Sequence, residues 1–208
     1  MSRTPEQKLL LVIDSATAAC SAALFEADGT LLGERHEIVG RGHAERLVPM
    51  IADLLEGRRP SAILVDCGPG SFTGVRVGLG AAHGLAMGWR VPLTGYSSLA
   101  LLAAARAERP IGVALAGGHG ELFVQSYGDD PIRPLDSLRS LPPDEAALAV
   151  DAELVVGSGA GLLVAARGRG RAVEALPRAG DAILLPEPLR SLAPRPIYGR
   201  APDARTMT

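Results

Sequence analysis

The sequence of 208 residues predicts an α/β fold with a large N-terminal part and a smaller C-terminal part. Short apolar runs recur as strands, patterns of helical period stand between them, and glycine or proline marks the breaks. Over residues 1–108 these signals predict the order βββαβαβα. Residues 109–208 predict a smaller subdomain, whose tail is free to return to the first.

The N-terminal strands are the clearest elements. Leu9 to Asp14 is an apolar run that ends in an acid, and Cys20 to Glu26 is a second run. Asp28-Gly29 is a strong two-residue turn signal. Leu31 to Ile38 then returns as a third strand, so we predict a meander.

The first predicted helix covers His43 to Glu56 and ends at Gly57. Pro49 is tolerated if it lies in the first turn, where backbone amides have no partner. The apolar positions follow helical spacing and form one stripe, which comprises Leu47, Met50, Ile51, Leu54 and Leu55.

A glycine-rich loop separates the next strand from the next helix. Ala62 to Asp66 predicts a buried strand, the loop is Gly68 to Gly74, and the helix covers Gly74 to Met87. Val91 to Thr94 predicts a fifth strand. A last helix starts at a serine cap, Ser97 or Ser98, and runs to about residue 106.

The C-terminal part begins with a hairpin. Ile111 to Ala116 and Glu121 to Tyr127 are its predicted strands, with glycines between them. Proline-rich connectors follow, then a strand at Leu154 to Val156 and a short helix at Gly159 to Ala166. The stretch from 167 to 208 is rich in arginine, proline and glycine and has no clear pattern.

Composition excludes several classes of protein. The net charge of −2 gives no broad basic field for nucleic acid. Cys20 and Cys67 form no CxxC motif, and the polar N-terminus has no apolar signal core. No run of 18 apolar residues exists. We therefore predict a reduced, cytoplasmic protein that does not enter a membrane.

The glycine loop does not match the known phosphate-binding loops. A P-loop requires a lysine after its last glycine, and none occurs here. The dinucleotide fingerprint requires GxGxxG, whereas Gly68, Gly70 and Gly74 are spaced one residue too far. A nucleotide role for this loop is therefore disfavoured.

The glycine helix needs a compensating contact, because each interior glycine costs about 1 kcal/mol relative to alanine. Gly80, Gly84 and Gly88 lie along one ridge, which lets another helix approach closely. That helix is either the Leu47–Leu55 stripe of the same chain or a partner, and both readings stay open. The predicted partner interface comprises Leu47, Met50, Ile51, Leu54, Gly74, Val77, Gly78, Gly80, Ala81, Gly84 and Leu85.

No metal or catalytic site is predicted. His36, His43, His83 and His119 show no HxH or HxxxH spacing. Asp14 precedes a small-residue turn, as in actin-like ATPases that hold metal and phosphate there, but it serves equally well as a turn cap. No Ser-His-Asp triad is specified.

Several segments together resemble the bacterial tRNA threonylcarbamoyladenosine biosynthesis protein TsaB (YeaZ) family. They are LLLVIDSATAACSAALFEADGTLLGE, GHAERLVPMIADLLEG, the stretch from Asp66 to Ala103, and the late PIYGRAPDA. GPGSFTGVR is the most specific part, and the resemblance is strong over about the first 105 residues. It implies an actin-like ASKHA (RNase H-like) fold with two subdomains, the second reduced.

The resemblance also implies a function without chemistry of its own. In this family the protein dimerises with a catalytic paralogue, TsaD. With an ATPase, TsaE, the pair transfers threonylcarbamoyl to N6 of adenosine 37 in tRNAs that read ANN codons. No cofactor of this chain is implied, since ATP and metal belong to the partner subunits. tRNA is reached through the complex, and a homodimer of the free chain stays open.

Particular positions agree with a supporting role or depart from the family. The catalytic paralogue carries two metal-binding histidines where this chain has Ser98 and Leu102, which are poor ligands. The family's acidic-Ala-Arg triplet is replaced by residues 116–119, Ala-Gly-Gly-His. Two alternatives remain: a stand-alone ASKHA-type ATPase or small-molecule kinase, motivated by Asp14, and a metallopeptidase.

Overall fold

The computed structural model describes residues 8–129 and 132–199. The first sheet is built from β1 (Leu9–Asp14), β2 (Ala19–Glu26), β3 (Leu31–Ile38), β4 (Ala62–Asp66) and β5 (Leu93–Tyr96). Its strand order is β3-β2-β1-β4-β5. The first three strands form the antiparallel meander that the sequence predicts, whereas β4 and β5 run parallel to β1.

Three helices accompany this sheet, in the predicted order: α1 (His43–Leu55), α2 (Phe72–Trp89) and α3 (Ser98–Ala104). Because side chains alternate along a strand, Leu11 and Ile13 pack with α1 and α2, whereas Val12 packs with α3 on the other face. Pro49 lies inside α1, beyond the first turn where its missing N–H would cost nothing.

Helix α2 is longer than predicted at both ends. It begins after Ser71, whose side chain accepts a hydrogen bond from the Gly74 amide at 3.2 Å. It ends at Arg90, which takes the left-handed conformation with φ 57°. The serine cap moves the start of the helix two residues before the predicted one, so Phe72 and Thr73 become helical.

The second sheet has the order β11-β10-β6-β7-β8, and β9 also pairs with β7. Its strands are β6 (Ile111–Ala116), β7 (Leu122–Gly128), β8 (Arg133–Pro134), β9 (Arg139–Leu141), β10 (Leu154–Val156) and β11 (Arg171–Val173). Helices α4 (Pro143–Ala149) and α5 (Ala160–Arg167) share a small core with it. The sequence suggests only a connector where α4 lies, although proline suits the first turn of a helix.

The chain then returns to the first sheet. A 3₁₀ segment over Ala179–Leu184 and the short α6 (Glu187–Arg190) lead to Leu192, which pairs with Gly95 of β5 in an isolated bridge. One core joins the two sheets, with α3 between them. Among the described residues, no helix is both long and apolar enough to span a lipid bilayer.

Candidate partner interface

The glycine loop packs against the turn between β1 and β2 of its own chain. A Cβ on Gly70 would collide with the Ala16 carbonyl, and one on Gly74 would collide with the Ser15 carbonyl. The Ser71 amide donates to the Ala16 carbonyl at 2.6 Å, and the Ser15 hydroxyl donates to the Gly74 carbonyl at 2.9 Å. Atoms of the β1–β2 turn therefore occupy the space directly beside Gly70 and Gly74.

Helix α2 carries two kinds of glycine. Gly74 and Gly78 are buried, and a Cβ on Gly78 would lie 2.6 Å from the Ser15 hydroxyl oxygen. On the opposite face, the added Cβ at Gly80, Gly84 or Gly88 would have no atom of residues 8–129 and 132–199 within 4 Å. Close packing inside the chain explains the first pair of glycines and leaves the second set without a contact.

The edge of this open face is apolar. Val77, Ala81 and Leu85 are half-buried and pack partly against the core that α1 and α2 share. Met87 is 78% exposed. Bare glycines beside partly buried apolar side chains give α2 a shallow trough that a second helix can enter.

The α1 stripe faces inward. Leu47, Met50, Ile51 and Leu54 are at most 4% exposed and pack in the core with β1, β2 and α2. A partner cannot touch these side chains without unfolding α1, because an amphipathic helix buries its stripe on its own sheet. On the solvent side of α1, Val48 is 55% exposed, a residue that the stripe pattern does not pick out.

A cleft of about 610 Å³ lies between the two sheets' turns. It is bordered by residues 16–18, the start of α2, the β6–β7 turn and Pro196–Gly199. Among the described residues, its lining includes Arg76 and no Asp, Glu, His or Cys. Such a lining offers none of the carboxylates that hold the metal of a metal–nucleotide complex.

Asp14 lies beneath this turn in a buried carboxyl pair. Asp14 and Asp66 are at most 1% exposed. Asp14 accepts from the Tyr96 hydroxyl at 3.0 Å, and Asp66 accepts from the Ser98 hydroxyl at 2.6 Å and the Gly68 amide at 2.7 Å. Burial raises the pKa of both carboxyls, and the charge of Asp14 raises the pKa of Asp66 further. The pair is therefore placed to share a proton, which ties β1 to β4.

The positions at which the resemblance implies lost metal ligands have structural roles. Ser98 is fully buried against Asp66, and Leu102 is 3% exposed in the core between the sheets. His43 bonds the Thr17 carbonyl at 2.7 Å, and His83 bonds the Pro194 carbonyl at 3.0 Å. Within residues 8–129 and 132–199, no three His, Cys, Asp or Glu residues are grouped to hold a metal ion.

Comparison with known proteins places this geometry in a family. A family model described as "TsaD: tRNA N6-adenosine threonylcarbamoyltransferase" matches residues 34–178. YeaZ from Pseudomonas aeruginosa superposes with a TM-score of 0.75 and 30% identity, over 92% of this chain and 99% of that one. The chain belongs to the TsaB/YeaZ family.

Two relatives show how the similarity to this family is distributed. The tRNA threonylcarbamoyladenosine biosynthesis protein TsaB of Escherichia coli (strain K12) is 44% identical over 99 residues, which are 45% of this chain and 42% of that protein. The match thus spans less than half the length of this curated TsaB. An uncharacterized protein of Mycobacterium tuberculosis (strain H37Rv) is 32% identical over 95% of this chain and 94% of its own length.

Family membership confirms the predicted fold class, an actin-like ASKHA arrangement with two sheets. In this TsaB/YeaZ chain the structure brings Val77, Gly80, Ala81, Gly84 and Leu85 together on one face of α2. It places Gly74, Gly78 and the α1 stripe beneath that face. The late PIYGRAPDA segment lies partly outside the described residues, which end at Gly199.

Proposed function

We propose that this chain is a non-catalytic subunit required for threonylcarbamoyl transfer to N6 of adenosine 37 in tRNAs that read ANN codons. It acts by forming a heterodimer with a TsaD-like catalytic paralogue and supporting it. ATP, a TsaE-like ATPase and the metal belong to the partner side of the complex. tRNA reaches the chain only through that complex.

The observation that carries this proposal is the open glycine face of α2. Gly80, Gly84 and Gly88 weaken the helix by about 1 kcal/mol each, and no atom of the described part of the chain lies within 4 Å of where their Cβ atoms would be. A helix packed closely on this face restores that loss through van der Waals contact. The TsaB name of the E. coli relative supports the choice of pathway.

The buried carboxyl pair supports a role without chemistry of its own. Asp14 is held by Tyr96 and the Ala16 amide beneath the glycine loop, so it does not face the cleft as an ATPase carboxylate would. Calorimetry with ATP and magnesium on the isolated chain tests the alternative. Tight binding that Asp14→Asn abolishes would favour an ASKHA-type ATPase or kinase over the proposed role.

The interface is tested by replacing one exposed glycine of α2 with a larger residue. Gly84→Leu places a side chain in the trough, and its Cβ would meet no atom of the described residues within 4 Å, so we expect lost co-purification with the TsaD-like paralogue and an unchanged fold. Gly161→Leu is the matched control, because Gly161 is also an exposed helical glycine with open space around it, on α5. Retained binding by Gly84→Leu would contradict the interface.

A reconstituted modification assay tests the function itself. We expect the paralogue, the ATPase, ATP, threonine-derived adenylate and tRNA to give modified adenosine only when this chain is added. Full modification without the chain would remove the proposed function. A stable homodimer of the free chain that dissociates on adding the paralogue agrees with the proposal, since both use one face.

A further inference from the structure

Arg76 lies against two aromatic side chains at the start of α2. Its guanidinium carbon lies 3.2 Å from the ring centroid of Phe72 and 5.9 Å from that of Tyr198. One terminal nitrogen donates to the Tyr198 hydroxyl at 3.0 Å, and the other donates to the Phe72 carbonyl at 3.2 Å. We call these three side chains the Arg76 stack.

The Arg76 stack faces solvent and holds a cation that has no ion-pair partner among the described residues. Phe72 is 68% exposed and Tyr198 is 59% exposed, in a chain with only 3% aromatic residues. None of the ion pairs among residues 8–129 and 132–199 includes Arg76. Exposed aromatic side chains beside an arginine are typical of the residues that dominate binding at protein interfaces.

The stack is continuous with the glycine face. Positions 72, 76, 80, 84 and 88 step by four along α2, so Phe72 and Arg76 begin the ridge that the bare glycines continue. Arg76 and Gly84 are two turns apart, which is about 12 Å along the helix axis. A partner helix that contacts α2 at Gly84 therefore lies within about two turns of α2 from Arg76.

Tyr198 is fixed by the backbone of the returning tail. Leu192 and Gly95 exchange backbone hydrogen bonds of 2.8 and 3.0 Å, and the Ile197 amide donates to the Cys67 carbonyl at 2.8 Å. The Pro194 carbonyl bonds His83 of α2. These contacts order the stack before a partner arrives, which lowers the entropy that binding costs.

We propose that the Arg76 stack binds an aspartate or glutamate carboxylate of the partner that packs on the glycine face. The inference rests on the proposed function and names the chemistry of one contact within it. Planar guanidinium groups bind carboxylates with two parallel hydrogen bonds, and neighbouring aromatic rings shield such a pair from water. The tail, through Tyr198, thus becomes part of the docking surface.

Charge favours a different protein over a second copy of this chain. Helix α2 contains no Asp or Glu between Phe72 and Trp89, and Arg90 follows its last residue. An antiparallel contact between two copies, centred on Gly80 and Gly84, would bring Arg76 towards Arg90 of the other copy. Like charges oppose that arrangement, so the carboxylate comes from a heterologous helix.

The experiment measures affinity for the purified TsaD-like paralogue at two salt concentrations. We expect Arg76→Glu to raise the Kd about tenfold or more and Arg76→Lys to raise it less, because lysine keeps the charge and loses the planar fork. Tyr198→Ala also weakens binding, and thermal unfolding checks each fold. Arg35→Glu, an equal charge change on exposed β3, is the control and leaves the Kd within about twofold.

The outcomes separate this inference from the function on which it rests. If the wild-type chain does not bind the paralogue, the proposed function and this contact fail together. If wild type binds, Gly84→Leu does not, and Arg76→Glu binds as wild type does, only the carboxylate contact is wrong. Loss of a homodimer in Arg76→Glu, with paralogue binding intact, would assign the stack to self-association instead.

Discussion

The Ser15 hydroxyl donates a 2.9 Å hydrogen bond to the Gly74 carbonyl, which fixes the first turn of α2 on the turn between β1 and β2. Gly74 has no side chain because a Cβ there would enter the Ser15 backbone. The contact sets the position of the whole helix, and with it the direction in which Gly80, Gly84 and Gly88 face. The buried glycine is required by packing within the chain, whereas the exposed glycines leave room for a second helix outside it.

Alanine substitutions distinguish the two kinds of glycine. We expect Gly74→Ala to lower the free energy of unfolding by about 1–3 kcal/mol, because overpacking forces the backbone apart. Gly80→Ala raises it by about 1 kcal/mol through helix propensity alone. Urea unfolding of both variants beside wild type measures the difference. Equal effects of the two substitutions would contradict the structural distinction.

Gly84→Ala separates stability from binding. The added methyl meets no atom of the residues that the structure describes, so we expect a more stable isolated chain, by about 1 kcal/mol. The same methyl holds a partner helix farther away and weakens its affinity. Denaturant unfolding and calorimetry with the paralogue check the two results. Gly161→Ala, on α5, is the control: it stabilises the chain and leaves the affinity unchanged, and any other pattern would count against the trough.

The α1 stripe contributes to stability rather than to direct contact. Leu47→Ala removes a fully buried side chain, and we expect a loss of about 2–5 kcal/mol in unfolding free energy. Val48→Ala, one residue away and 55% exposed, changes stability by less than about 0.5 kcal/mol. Chemical unfolding measures both. A Leu47→Ala variant as stable as Val48→Ala would show that the stripe does not form the core.

The carboxyl pair makes stability depend on pH. Burial raises the pKa of Asp14 and Asp66 above the ordinary 3.8, so the folded chain holds protons that the unfolded chain releases. This contribution is complete below about pH 4 and is lost as the pH rises through the folded pKa values. Each extra proton changes stability by about 1.4 kcal/mol per pH unit.

Asp66→Asn removes the more strongly raised carboxyl and keeps an oxygen for the Gly68 amide. We expect its unfolding free energy to vary less with pH than that of wild type, in urea titrations from pH 5 to 8. Asp28→Asn is the control, because Asp28 is exposed and the Thr30 amide lowers its pKa. If Asp66→Asn and wild type show the same pH slope, the shared proton does not exist.

Ser98 has a measurable role although it binds no metal. Ser98→Ala removes the hydroxyl that donates a 2.6 Å hydrogen bond to Asp66. We expect the free energy of unfolding to fall by about 1–3 kcal/mol, because a buried carboxyl loses a donor. Ser191→Ala, which removes an exposed hydroxyl bonded to Glu187, is expected to change stability by less than about 0.5 kcal/mol. Equal stability of the two variants would contradict a structural role for Ser98.

Local signals in the sequence were sufficient for most elements and insufficient for the face that α2 presents. Strand and helix order followed from apolar runs, glycine breaks and the serine cap at Ser97, all of which act within a few residues. Helix α4 was missed because Pro142-Pro143 suggested a connector. Phe72 and Arg76 were missed as surface residues, although their four-residue step to Gly80 was a signal that could have found them.

The sequence by itself determined the α/β class, the element order of the first part and the family, because spacing and motif residues are local properties. Only the tertiary structure decided what the glycine loop approaches. Gly70 and Gly74 meet the Ala16 and Ser15 backbone, which lies more than fifty residues away along the chain. A close approach involves two segments of the chain, and the sequence around a glycine does not show which distant segment will pack against it. For the same reason, only packing could separate the buried Gly78 from the open Gly80.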